Sequence, residues 1–186
     1  MINRCFYTVV VLGTMLLSAC SMEKTEQNVI EDKTAGDKVI VDNSNSSTEL
    51  TLFALSAKEE EVYSNFQKDL NLKHLSELEP ISIAKLYVKA EFDKKYDVVY
   101  ALYTDREGHV QWSKEEDEEI PESHRSSDEQ IVEQFKDIDK GRFIQTNDDE
   151  GYIEYNLDEG TKDIPKMFKM IKNVDGVWQV AFKPIQ

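Results

Sequence analysis

The spacing of apolar residues changes once along this chain, and this change constrains the fold more than any other feature of the sequence. Two segments repeat at three and four residues, the period of an amphipathic helix: Ile83, Leu86, Tyr87 and Ala90, then Tyr96, Val99, Tyr100 and Tyr103. After Gly141 apolar residues alternate with polar ones, which is typical of β-strands. Helices followed by antiparallel strands predict the α+β class.

The bounds of individual elements follow from caps and turns. Ser56, with Glu59 three positions later, has the spacing of a capping box and predicts a helix to Asp69. Ser127 is expected to cap a second helix, from Asp128 to Ile138. Turns rich in Asn, Asp and Gly separate four predicted strands: 143–146, 152–157 with Ile153, Tyr155 and Leu157 on one face, 166–172, and 177–182 with Trp178, Val180 and Phe182 on one face.

The N-terminal residues resemble the leader of a bacterial lipoprotein. An apolar run from Phe6 to Leu17 is too short to span a bilayer, and it ends in Leu17-Ser18-Ala19-Cys20, which resembles a lipobox. The resemblance implies a signal peptide over residues 1–19, acylation of Cys20 and an extracytoplasmic, membrane-anchored location. Residues 20–49 are polar and predict a flexible linker, and residues 50–186 are expected to form one domain.

Cysteine content and charge exclude several functional classes. The chain has two cysteines, Cys5 in the leader and Cys20, so the predicted domain has no thiol for catalysis, redox chemistry or metal binding. The whole chain has 37 acidic and 22 basic residues and a formal charge of −15, which disfavours binding to nucleic acid. The histidines lack metal-ligand spacing, and the acidic runs 115–119 and 148–150 do not match a calcium loop. We therefore expect these two runs to be solvated loops, and we expect no bound metal and no cofactor.

Residues 80–186 resemble the NTF2-like (cystatin-like) superfamily. The resemblance is carried by the helical stretch Ala84 to Tyr103, the antiparallel strands after it, and the final hairpin Asp175-Gly176-Val177-Trp178-Gln179-Val180. It implies a curved sheet that forms a cone with a helix across its concave face. Because that superfamily contains both enzymes and non-catalytic binding modules, the fold alone implies no particular function.

The tyrosines of the second periodic segment are the candidate cavity-lining residues. Tyr96, Tyr100 and Tyr103 would fill or line the cone, and a stripe of this kind is more often core than binding site. If the domain is instead an enzyme of the kind that the resemblance allows, one of these tyrosines would pair with Asp97 or Asp105 as acid and base. Among other residues, Trp112 in a polar stretch is either an exposed anchor for a partner or a clip that holds a loop to the core.

These observations lead to two hypotheses about function. The first is a lipid-anchored extracytoplasmic module of the cell envelope that binds another envelope protein or a small ligand without catalysis. The alternative is an NTF2-like enzyme with a Tyr/Asp acid–base pair in its cavity. A cavity that contains a buried carboxyl group of raised pKa favours the enzyme, whereas a cavity filled by Trp178, Phe182 and the tyrosines argues against it.

Overall fold

Five α-helices precede four β-strands in residues 52–156 and 164–185, which the structure, a computed structural model, describes. The α+β class is therefore confirmed. The predicted leader, the lipobox with Cys20, the linker and Leu157 lie outside the described residues. Among the helices in those two ranges, none has the length and apolar character needed to cross a bilayer.

The helices and strands have the following bounds. The helices are α1 (Ala57–Asp69), α2 (Pro80–Phe92), α3 (Tyr96–Leu102), α4 (Lys114–Glu118) and α5 (Asp128–Phe135). The strands are β1 (Arg142–Gln145), β2 (Glu150–Tyr155), β3 (Lys166–Lys172) and β4 (Trp178–Ile185).

Serine caps begin three of the helices. The predicted capping box of Ser56 and Glu59 is confirmed at the start of α1, and Ser127 caps α5 as predicted. The prediction that α5 continues to Ile138 is wrong. The helix ends at Phe135 because Lys136 leaves the helical region and Asp137 takes a left-handed conformation with φ of 63°.

The second periodic segment also ends earlier than its spacing suggests. Helix α3 stops at Leu102, and Tyr103 is extended. From there the chain runs beside β4, where the Thr104 amide donates to the Val180 carbonyl at 2.8 Å. Tyr103 and Thr104 thereby cover part of an edge of the sheet that would otherwise present unpaired backbone groups.

The four strands form an antiparallel sheet in the order β1-β2-β3-β4. Helix α2 packs against both β1 and β4. Since these are the two edge strands, α2 lies across the sheet. The core fills the space between this face of the sheet and the helices, and its fully buried members include Phe66, Ile83, Leu86, Leu102, Ile131, Ile153, Phe168, Met170 and Val180.

Candidate functional site

A cavity of about 260 Å³ opens where α2, α5 and the end of β4 meet. Helix α2 contributes Tyr87 and Glu91, which are four residues apart and therefore share one face of the helix. Ile131 and Phe135 of α5 form an apolar wall opposite. Pro184 and Ile185 close the wall on the β4 side, and Ser126, Gln134 and Lys183 complete the lining.

Three polar groups form a chain of hydrogen bonds beside this cavity. The Tyr87 hydroxyl lies 2.9 Å from Glu91 Oε1, to which it donates, and 3.0 Å from the Tyr103 hydroxyl. Because one hydroxyl has a single proton, Tyr103 donates to Tyr87 when Tyr87 donates to Glu91. The chain leaves Glu91 as the acceptor at its end, facing the cavity.

Burial changes the acidity of all three groups. Loss of solvent around the Glu91 carboxyl raises its pKa, and the Tyr87 hydrogen bond and the Arg125 charge only partly oppose this effect. Burial also raises the pKa of Tyr87 and the pKa of Tyr103. Both tyrosines are therefore neutral donors at pH 7, and Glu91 is a carboxyl group that can accept a hydrogen bond or exchange a proton.

The three tyrosines that the sequence singles out do not line this cavity. The ring of Tyr103 stacks on Phe182, with ring centroids 4.6 Å apart, and its hydroxyl group reaches Tyr87, which does line the cavity. The Tyr100 hydroxyl donates to the Trp112 carbonyl at 3.1 Å. Tyr96 lies under the Arg125 guanidinium, 3.9 Å from the ring centroid.

Two contacts fix the position of the Trp112 side chain. Its Nε1 donates to Asp117 Oδ1 at 3.0 Å, and its ring meets Phe182 edge-on at 4.6 Å. The side chain is half-buried. Trp112 thus joins the polar segment after α3 to the aromatic residues of β4.

The acidic run 115–119 is largely exposed to solvent, as its charge predicts, but most of it is helical rather than a loop, and one of its carboxylates is buried. Ser113 and Glu116 form a capping box for α4, and this short helix turns Asp117 inward. Asp117 pairs with Arg125 at 2.9 Å, with 4% and 11% of the two side chains exposed. Local capping together with one arginine therefore stabilises a carboxylate in the interior.

The remaining acid candidates do not form a catalytic pair with the tyrosine stripe. Asp97 and Asp105 are both exposed. In the ranges that the structure describes, no three His, Cys, Asp or Glu side chains are close enough together to hold a metal ion.

A larger groove of about 560 Å³ lies between the turn after α1 and the β3–β4 turn. Its lining includes Leu70, Leu72 and Val177 with the polar Asn71 and exposed Asp175. It contains no buried acid or base, whereas the smaller cavity contains the Tyr87–Glu91 pair. Perturbed ionisable groups in a cleft are the better indicator of a functional site.

Sequence reasoning missed Tyr87 and Glu91 as a site. Tyr87 was assigned to the apolar face of α2, and Glu91 follows the fully buried Ala90 without any motif of its own. The available signal was their spacing of four residues, which places a carboxyl group next to a tyrosine on a helix of the core.

Comparison with protein-family models, with curated proteins and with solved structures gives no match to this chain.

Proposed function

We propose that this chain is a lipid-anchored, extracytoplasmic protein of the cell envelope whose domain binds a small ligand in the Tyr87–Glu91 cavity. The observation that carries the proposal is the cavity itself, in which an apolar wall faces a partly buried hydrogen-bonded carboxyl group. Apolar clefts with a small number of placed polar groups are the usual form of ligand sites. The lipobox-like Leu17-Ser18-Ala19-Cys20 supports the anchored location.

We further propose that the domain is an NTF2-like cone. The α2 helix that lies across the sheet supports this assignment, since α2 packs on both edge strands. The tyrosines and Phe182 would then fill one part of the cone and leave the Tyr87–Glu91 cavity at its side.

Ligand binding is tested with the full-length protein as it is purified from the producing cells. A set of small fragments is screened by methyl NMR, with Ile131 and Ile185 as reporters because both line the cavity. We expect fragments that shift both methyl signals. Ser126→Trp, at an exposed position of the lining, should abolish these shifts.

The matched control is Ser123→Trp, which adds the same side chain at an exposed position outside the lining. It should leave fragment binding unchanged. If no fragment shifts Ile131 or Ile185, or if both tryptophan variants bind fragments equally well, the cavity is not a ligand site.

The anchor is tested by Cys20→Ser in the producing cells. Acyl chains contribute about 0.8 kcal/mol for each buried methylene, so two chains hold a protein on a bilayer. The variant should leave the membrane fraction and lose the mass of its acyl chains. A variant that stays membrane-bound at the native size would show that Cys20 is not the anchor.

One observation favours an enzyme as the second candidate: burial raises the pKa of Glu91, whose carboxyl group contacts a neutral tyrosine. Such a pair can transfer a proton to or from a bound carbonyl compound. The test is exchange of α-protons of small ketones in D₂O, followed by NMR. Exchange that is lost in Glu91→Gln supports the enzyme, and exchange at the uncatalysed rate excludes this reaction.

A further inference from the structure

The charge of Glu91 has no partner in the cavity. The Arg125 charge lowers the pKa of Glu91, but Arg125 already pairs with Asp117 and covers the ring of Tyr96. The Arg125 and Asp117 charges therefore balance each other. Lys183 also lies in the lining and has an interaction of its own.

The Glu91 carboxyl group also has unused capacity as an acceptor. Its Oε1 accepts the Tyr87 hydroxyl, and Oε2 accepts no hydrogen bond from any described residue. An ionised carboxylate has about four lone-pair sites. A ligand in the cavity can therefore donate to Glu91 without displacing Tyr87.

Four apolar residues of the cavity lining can contact an apolar body of that ligand. Ile131 and Phe135 are almost fully buried, with 1% and 4% of their surfaces exposed, and Pro184 and Ile185 lie beside them. At ~30 Å³ for each water-sized group, a cavity of about 260 Å³ has room for a compact molecule of the size of benzylamine. The formal charge of −15 on the whole chain favours cations over anions as its ligands.

We propose that the ligand is a small primary amine with an apolar body, whose ammonium group binds Glu91 while its body packs against Ile131 and Phe135. The inference rests on the proposed ligand-binding function and specifies its chemical class. Binding would supply a cationic partner for the Glu91 carboxylate, through a charge-assisted hydrogen bond in a partly dehydrated site.

Three probes of similar size and different charge test this inference: benzylamine, benzyl alcohol and benzoate. Each is titrated at pH 7 into the full-length protein, with the Ile131 and Ile185 methyl signals as reporters and Ile153, a buried residue outside the lining, as the control. We expect benzylamine to bind about tenfold more tightly than benzyl alcohol, and benzoate to bind more weakly than either. Glu91→Gln should remove the preference for the amine.

The control for Glu91→Gln is Glu133→Gln, which removes the same charge from an exposed position on α5 outside the lining. It should retain the tenfold preference. Benzyl alcohol or benzoate binding in the cavity as tightly as benzylamine overturns the amine inference and leaves the ligand site in place. Failure of benzylamine to shift either methyl signal, when the fragment screen has found other cavity ligands, also overturns it.

Discussion

Replacing Asp117 with alanine should destabilise the domain far more than any other single replacement in the acidic run 115–119. The Asp117 carboxylate accepts from Trp112 Nε1 at 3.0 Å and from Arg125 Nη2 at 2.9 Å. Breaking a buried ion pair by removal of one partner costs ~3–5 kcal/mol, because the remaining charge stays buried. In the variant, Arg125 still donates to the backbone carbonyl of residue 117 and still lies over the Tyr96 ring. We therefore expect a loss at the lower end of this range, about 3 kcal/mol.

The assay is urea unfolding of the full-length protein, evaluated as the change in free energy of unfolding. Glu118→Ala is the matched control, since Glu118 pairs with Lys114 in the same helix while 65% and 46% of those side chains are exposed. That variant should lose only ~0.3–0.5 kcal/mol. A difference of less than ~1 kcal/mol between the two variants would refute the reasoning, because it would mean that Asp117 is solvated like its neighbours.

A double-mutant cycle with Arg125→Met identifies the source of the loss. If the ion pair carries the effect, the double variant should be destabilised by less than the sum of the two single variants. Additive effects would instead assign the loss to the Trp112 hydrogen bond alone.

Two further predictions concern stability. Burial alone would raise the pKa of Glu59, but its contacts with Lys85 and the Ser56 cap lower this pKa overall. Glu59 should therefore stabilise the fold above its unfolded pKa and lose this effect as the pH falls through the lower folded pKa. In urea unfolding, Glu59→Gln should be less stable than the native protein at pH 7 and by a smaller margin in acid, and a difference that does not change with pH would contradict this. Gly151→Ala should lower the free energy of unfolding by ~1–3 kcal/mol, since the new Cβ would come within 2.5 Å of the Phe143 ring. An unchanged midpoint in thermal unfolding would contradict the packing of β1 on β2.

Local signals made the secondary structure predictable, whereas the site depends on contacts that are distant in sequence. Ser56 and Glu59 interact within one turn of helix, so their spacing alone identified the cap. The contact between Tyr87 and Tyr103 joins residues 16 positions apart, and no local pattern specifies it. Their hydroxyl groups meet because α3 ends at Leu102 and the chain then turns to run beside β4.

The acidic run shows why charge pattern alone was misleading. A run of acidic residues is normally a solvated surface, and Glu115, Glu116, Glu118 and Glu119 are indeed exposed. Asp117 differs only because α4 directs it toward Arg125, eight residues further along the chain. Sequence spacing does not reveal this pairing, since it depends on how the chain returns after Pro121.

The buried ion pair and the cavity form one electrostatic unit. After burial, the groups that set the pKa of Glu91 are Tyr87, Arg125 and Asp117, of which Asp117 raises this pKa and Arg125 lowers it. Removing the Asp117 charge alone would therefore leave Arg125 free to favour the ionised form of Glu91, and removing Arg125 alone would favour the protonated form. Because the proposed ammonium ligand needs the ionised form of Glu91, its affinity should depend on the Arg125–Asp117 pair.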